Sequence, residues 1–395
     1  MKKDLDEHLK IIADNAIDFI SEEELRLKLA VSLKQKKPLK VKIGFDPTAR
    51  DIHLGHTVLL RKLRKIQDLG HIVYFIIGDF TAQIGDPSGR NELRPSLTRE
   101  EIEDNARTYT EQAFRILDKK RTKVIFNSRW YKNMHAAGFV ALLSHYTVAR
   151  MSERDDFSRR IKERKPLTLQ EFIYPIVQGY DSVKIGADIE FGGTDQKFNL
   201  IVGRHLQASF SQNPQVVITM PLLVGLDGKN KMSKSLGNYV GITESPRSMF
   251  GKIMSISDEL MIEYFRMLTD VNIEDIKTMH PKEAKLCLAE TLTGYYHSSS
   301  IAGKEKEFFE KTFSKREVPL DVPMYTSTKD TVDLIEVLYE TRLVSSKNEA
   351  RRLLRQKGIS HNHKPILEQK IKLTQKETTL KIGKKKFLKI VCNIS

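Results

Sequence analysis

Residues 39–56 read LKVKIGFDPTARDIHLGH. Alternation of Val41, Ile43 and Phe45 predicts a β-strand, and Asp46-Pro47 ends it, because proline lacks a backbone donor and restricts the residue before it. Val58, Leu59, Leu63, Ile66 and Leu69 recur at three- and four-residue spacing, which predicts a helix opening at His53–His56 and closing at Gly70. A second apolar run, Ile72 to Ile77, follows directly, so the segment reads as a βαβ unit with two imidazoles in its first crossover turn. A helix N-terminus offers unpaired N–H groups and partial positive charge, which favour an anion. His53 and His56 lie one turn apart and can face the same anion, while Gly55 leaves room for a flat base near the backbone. Taken alone, His-x-x-His also fits two surface histidines in a turn.

Composition narrows the classes. A chain of 395 residues can bury a real core and form two or three domains. With 66 basic and 51 acidic residues it carries +15, which points to a polyanionic partner. Residues 331–395 hold 15 Lys and Arg against 6 Asp and Glu, so +9 of that charge sits in the last 65 residues. A solvated basic tail would give the same bias. Two cysteines, Cys287 and Cys392, make neither a disulfide framework nor a metal pair, in keeping with a reducing compartment. Met-Lys-Lys at the start is followed by acidic residues rather than an apolar stretch, and no apolar run is long enough to span a membrane. We therefore expect a cytoplasmic protein with no membrane contact.

Along the chain, residues 4–37 read as two amphipathic helices, the second capped by Ser21 with Glu24. GDFTAQIGDPSGRNELR, residues 78–94, places Asp79 and Asp86 at or beyond a strand's carboxyl end, where open α/β sheets bind ligands. Arg90 and Arg94 follow in a Gly/Pro/Ser-bearing loop, either a flap over phosphates or a solvated connection. Residues 98–118 predict a long helix, 124–126 a strand and 130–165 a helical stretch suited to a subunit contact. In QEFIYPIVQGYDSV, residues 170–183, Tyr174, Gln178 and Asp181 form one helical stripe among apolar neighbours. Buried there, each polar group needs a partner or costs roughly 1–3 kcal/mol. Those partners are each other or a small polar ligand, and three aligned groups favour the ligand. DIEFGGTDQKFNL, residues 188–200, repeats the strand-end-to-helix geometry, with paired glycines and Asp195. After a strand at 216–223, GLDGKNKMSKSLGN, residues 225–238, frames Lys229, Lys231 and Lys234 between Gly228 and Gly237.

The pair HLGH (53–56) and KMSKS (231–235) resembles the class I aminoacyl-tRNA synthetases. GFDPTA at 44–49, IGDPSGR at 84–90, the Tyr174/Gln178/Asp181 stripe and GGTDQ at 192–196 narrow the likeness to the tyrosyl enzymes of bacterial type, over nearly the whole chain. The C-terminal part is similar to a small RNA-binding module shared with a ribosomal protein and pseudouridine synthases. There Ser346 and Glu349 predict a capping box and a helix through Gly358, with Ala350, Leu353 and Leu354 inward and Arg351, Arg352 and Arg355 outward.

The resemblance implies an α/β fold: a Rossmann-like doubly wound parallel sheet over residues 1–245, a helical tRNA-recognition domain at 246–315, a linker at 316–330 and the small α+β RNA-binding module at 331–395. Ser245-Pro246 and His280-Pro281 are helix starts in the second of these. It implies ATP-dependent activation of L-tyrosine and transfer to the 3′ end of tRNA(Tyr) by a homodimer. Mg²⁺ would accompany the phosphates, with neither zinc nor an editing domain. By matching motif, His53, His56, Lys231, Lys234, Arg90 and Arg94 would be catalytic. Asp46, Thr48, Gly55, Asp195, Met232 and Ser233 would hold ATP. Lys42, Gly44, Asp86, Tyr174, Gln178, Asp181 and Gln196 would hold tyrosine, with Asp86, Tyr174 and Gln178 on its amino group and Asp181 on its phenol. Lys347, Arg351, Arg352 and Arg355 would contact tRNA. Much of the family places a tyrosine where this chain has Lys42; pairing of Lys42 with Asp181 is one arrangement open to it. The alternatives are a tryptophan–tRNA ligase, which normally lacks the basic module, and an inactive synthetase-like RNA-binding protein, in which one motif should be damaged.

Overall fold

The computed structural model describes residues 2–48, 51–88, 98–314, 322–327, 329–361, 364–373, 377–383 and 386–392. Two compact units emerge, Met1–Ala302 and Gly303–Ser395.

The first unit is built on a six-stranded sheet. Its strands are β1 (Asp18–Ile20), β2 (Lys40–Phe45), β3 (Ile72–Ile77), β4 (Thr122–Phe126), β5 (Ile189–Gly193) and β6 (Val216–Met220), in spatial order β1-β6-β5-β2-β3-β4. Strands β2 to β6 pair in parallel, and β1 joins β6 antiparallel. The chain runs outward from β2 through β3 and β4, then crosses back to β5 on β2's other side. The doubly wound expectation therefore holds, and the point where the order reverses lies between β2 and β5, where such sheets open a ligand crevice.

Helices packed in this unit include α1 (Lys2–Ala13), α2 (Glu22–Gln35), α3 (Leu54–Asp68), α4 (Arg99–Ala113), α5 (Leu169–Ile185) and α6 (Lys197–Ser209). Leu54, Val58, Leu60, Leu63 and Ile66 of α3 are buried, and Gly70 takes the left-handed conformation (φ +98°) that releases the chain into β3. Thr168 and Glu171 make a capping box that starts α5, and left-handed Gly186 ends it. Helices α5 and α6 cross at Gly179 and Gly203, where a Cβ on Gly179 would lie 2.9 Å from the Gly203 amide nitrogen. That close approach lets Asn199 of α6 reach Gln178 of α5.

Several expectations are corrected. Residues 4–37 are not only helical: Asp18–Ile20 forms the edge strand β1. Ser21 caps α2 through the Glu24 amide, but the Glu24 carboxylate is taken by Arg204 at 2.5 and 2.6 Å. The helix expected over 98–118 ends at Ala113. The stretch 130–165 breaks into short helices at Ser128–Tyr131, Ala136–Leu143, Val148–Met151 and Asp155–Lys162. Helices at Pro246–Met254 and Pro281–Tyr296 begin, as expected, with Ser245 and His280 as caps and proline in the first turn.

In the second unit, strands Lys364–Pro365, Ile359–His361, Glu377–Ile382, Lys386–Cys392 and Met324–Ser327 form one sheet in that order. Met324–Ser327, expected within the linker, pairs in parallel with residues 389–392 and belongs to this sheet. Helices Leu334–Glu340 and Lys347–Arg355 pack Leu334, Leu338, Ala350 and Leu354 into its core. Ser346 caps the second helix, but Glu349 reaches the Ser345 amide (2.7 Å) rather than closing a box on Ser346, and the helix stops at Arg355.

Candidate active site

The crevice is a cavity of about 470 Å³ at the carboxyl ends of β2 and β5. Gly44, Asp46, Thr48, His53, Gly55, His56, Asp86, Tyr174, Gln178, Asp181, Asp195, Gln196, Lys231, Met232, Ser233 and Lys234 all line it. Segments as far apart as 44 and 234 thus meet in one pocket. Arg90 and Arg94 lie outside the described residues.

The two histidines cap α3 with their own rings. His53 Nδ1 accepts from the Gly55 amide and His56 Nδ1 accepts from the His53 amide, both at 3.2 Å. A ring nitrogen that accepts carries no proton, so each neutral imidazole holds its proton on Nε2. The rings lie 3.8 Å apart between centroids. Burial, followed by Lys234 and Lys231, pushes His53 down to about 3; burial and the neighbouring His53 hold His56 well below its ordinary value. At neutral pH the pair is therefore uncharged and offers two N–H donors.

The lysine loop is folded against that helix start. Leu54 N–H donates to Val240 O (2.9 Å) and Ile242 N–H to Ile52 O (3.0 Å), so the chain after KMSKS runs beside HLGH. Met232 is buried, its Cβ 3.5 Å from where a side chain on Gly55 would begin. Asn238 braces the loop, accepting from the Ser233 amide (2.8 Å) and donating to Asp227 (3.0 Å). Left-handed Gly228 and Gly237 make the turns at either end. Lys234 places its ammonium 5.4 Å over the Tyr109 ring, and Lys231 pairs with Asp195 at 2.8 Å.

The other end of the pocket is acidic. Tyr174 donates to Asp46 at 2.7 Å, as does Thr81 at 2.6 Å, and Gly78 leaves the space that the Asp46 carboxylate occupies. Burial and the Asp46 and Asp86 charges hold the Tyr174 phenol protonated. Asp86 accepts from Gln196 (2.7 Å) and the Ser88 amide (2.9 Å). Behind them, buried Arg154 donates to Ser88 (2.8 Å) and Asn199 (3.1 Å), and Asn199 donates to both Gln178 and Gln196 at 3.0 Å. Asp181 accepts from Trp130 Nε1 (2.9 Å) and Asn127 (3.4 Å); burial, only partly offset by Lys42, pushes it up to about 7. Asn127, Trp130, Arg154 and Asn199 escaped the sequence reading because little local marks them. Asn127 and Asn199 border apolar runs, which is a weak signal; Trp130 and Arg154 lie in polar segments that give none.

Lys42 is the departure. It is fully buried and does not line the cavity; its ammonium pairs with Glu190 at 2.7 Å and donates to Ser182 Oγ (2.8 Å) and Gln178 O (3.2 Å). The open pairing with Asp181 is thus not the one formed. In the second unit Arg351, Arg352 and Arg355 are exposed as expected, whereas Lys347 is engaged by Glu336 at 2.6 Å.

A doubly wound sheet whose switch-point pocket is walled by His-Leu-Gly-His and Lys-Met-Ser-Lys-Ser defines a class I tRNA synthetase, and residues 34–314 match the family model for class I tRNA synthetases (W and Y). Residues 315–390 match the Tyrosine–tRNA ligase SYY-like C-terminal domain. The chain belongs to the tyrosine–tRNA ligase family. It is 51% identical over 391 residues to the tyrosine–tRNA ligase of Aquifex aeolicus, covering 98% of this chain and 99% of the relative. To that of Thermotoga maritima it is 49% identical over 397 residues, 98% and 97% of the two chains. The fold is shared with a tyrosyl-tRNA synthetase from Archaeoglobus fulgidus in complex with L-tyrosine (TM-score 0.62, 24% identity, 76% of this chain and 99% of that one). A C-terminally truncated mitochondrial tyrosyl-tRNA synthetase from Aspergillus nidulans matches similarly (TM-score 0.64, 19% identity, 78% and 94%).

Proposed function

We propose the following roles for the pocket's residues in tyrosine–tRNA ligation. Tyrosine's carboxylate attacks the α-phosphate of ATP, pyrophosphate leaves, and the 3′-terminal ribose of tRNA(Tyr) then takes the acyl group as AMP departs. Alignment and charge stabilisation suffice for both steps, with no covalent enzyme intermediate. His53 and His56 donate Nε2–H to the phosphate oxygens without a charge to desolvate, and Lys231 and Lys234 supply positive charge as it builds on pyrophosphate. Arg90 and Arg94 are assigned to the same phosphates. Mg²⁺ enters with ATP as part of that substrate. Asp195 serves the ribose, exchanging its Lys231 partner for hydroxyls, and Thr48, Gly55, Met232 and Ser233 border the nucleotide.

Asp86, Tyr174, Gln178 and Gln196, with Asp46 behind Tyr174, receive the substrate ammonium. Asp181 receives the phenol. A site built to hydrogen-bond a hydroxyl rejects the analogue lacking it by roughly 10⁴–10⁵, and tyrosyl enzymes are themselves the reference example. The observation carrying this reading is that Asp181 lines the same cavity as the two signature motifs. Residues 246–315 and the module from 331 are assigned to tRNA, with Arg351, Arg352 and Arg355 on its phosphates. Exposed Val140 and Val148 support a homodimer contact in the 130–165 stretch. Among the described residues no helix is long and apolar enough to cross a membrane; we place the enzyme in the cytoplasm. Replacing Asp181 by Asn tests the phenol assignment: selectivity for tyrosine over phenylalanine should fall at least tenfold, and unchanged selectivity would refute it.

A further inference from the structure

Helix α5 carries Gln178, Asp181 and Ser182 in one turn, and the ammonium of Lys42, from β2, sits on that turn. It is held by the carbonyl of Gln178, three residues before Asp181, and by the hydroxyl of Ser182, the residue after it. Its anion is Glu190 of β5, at 2.7 Å, which also accepts from Ser182 (2.9 Å) and from Gln215. Lys42, Glu190, Ser182 and Gln215 are each no more than 1% exposed. This chain therefore keeps a complete ion pair in the core, on the helix turn that carries Asp181. A buried ion pair contributes little net stability and is often replaceable by apolar residues, so stability alone is a poor reason to keep one.

We propose that Lys42 and Glu190 are positioning residues that set the charge state of Asp181 and thereby the pH range in which the enzyme tells tyrosine from phenylalanine. The inference rests on the assignment of the phenol to Asp181. An ionised Asp181, an acceptor without a proton of its own, is left at higher cost than a neutral one by a substrate lacking the hydroxyl. Burial drives the carboxyl towards its neutral form; the Lys42 charge opposes this and the Glu190 charge adds to it. The other groups facing Asp181 are the Trp130 and Asn127 donors, which favour the anion, and Tyr131 and Tyr174, whose phenols stay protonated at neutral pH. Lys42 thus acts through Asp181 rather than on the substrate.

The pair makes a prediction of opposite signs. The test is the pH profile of kcat/KM for tyrosine, read by ATP–pyrophosphate exchange, with phenylalanine as the control lacking the hydroxyl. Lys42→Met removes the favourable charge and should move the acid limb up by about one pH unit. Glu190→Gln removes the unfavourable charge and keeps the favourable Lys42 one, so the limb should move down. If Lys42→Met fails to fold around an unpaired glutamate, the neutral double variant Lys42→Met/Glu190→Gln replaces it, and its limb should also lie above wild type. The phenylalanine profile should move along the pH axis with the tyrosine limb but in mirror image, its kcat/KM falling rather than rising as Asp181 ionises. Shifts of the same sign in the two single variants, or no shift in any folded variant, would overturn the inference. Failure of Asp181→Asn to lose selectivity would instead remove the phenol assignment beneath it, so the two failures are distinguishable.

Discussion

The catalytic pocket and the C-terminal module use charge in opposite ways. In the pocket most titratable groups are buried or half-buried and cross-braced, and burial displaces the ionisation of two of them: His53 falls to about 3 and Asp181 rises to about 7. In the module Arg351, Arg352 and Arg355 stand on the open face of an amphipathic helix whose Ala350 and Leu354 fill the core. A transition state is stabilised by few groups in fixed places under low dielectric. A long polyanion is held by many solvated cations, through release of counterions. Losses in the pocket should therefore be large, local and insensitive to salt. Losses in the module should be spread over several residues and vanish as salt rises.

The largest expected effect separates the two regions outright. Removing residues from 331 onward should abolish charging of tRNA while tyrosine-dependent pyrophosphate exchange continues; retained charging would show that the module does not bind tRNA. Next, His56→Ala or Lys234→Ala should slow adenylate formation by roughly 10²–10³-fold per lost donor. His56→Ala also removes a cap from α3 and should lose about 1 kcal/mol in stability. Rates within a factor of two of wild type, measured by exchange, would remove either residue from the phosphate site. Smaller again, each of Arg351→Ala, Arg352→Ala and Arg355→Ala should weaken tRNA binding and lower the slope of log affinity against log salt by about one. An unchanged slope would mean that the guanidinium meets no phosphate.

The smallest effect concerns stability. His71 is buried, accepts from the Leu39 amide through Nδ1 and is pushed down to about 4, chiefly by burial. The unfolded chain takes up this proton near pH 6.5, so the contribution of neutral His71 is complete above that pH. It is lost as pH falls towards 4, by about 1.4 kcal/mol per unit. Asp181 has the opposite sign: its folded value is raised, so its contribution declines as pH rises from about 4 towards 7. Denaturant midpoints of wild type and His71→Gln, compared between pH 7.5 and 5, isolate the histidine. The variant should lose less on acidification, and parallel losses would contradict the assignment.

The same contrast explains what the chain disclosed before its structure was known. Strand β3 falls on the expected 72–77, and α3 carries its predicted apolar face, because both patterns are local. Sixteen of the pocket's expected residues meet in one cavity: most sit at strand ends, helix starts and glycine-framed turns, and Tyr174, Gln178 and Asp181 showed as a polar stripe at helical spacing. Strand β1 left no signature, since three residues cannot show an alternation and its pairing partner is Val217–Thr219. Met324–Ser327 was hidden by Pro319 and Pro323 nearby and by a partner strand more than sixty residues away. Lys42 shows the limit most plainly. Its departure from the family pattern was visible, but Glu190 lies 148 positions on, and nothing near either residue names the other.

The central claim is that one pocket joins the phosphate-binding motifs to a tyrosine-specific floor. ATP–pyrophosphate exchange with each amino acid in turn tests it most directly. Exchange should be supported by tyrosine, with phenylalanine and tryptophan lower by orders of magnitude. Equal or greater exchange with tryptophan, or none with tyrosine, would contradict it.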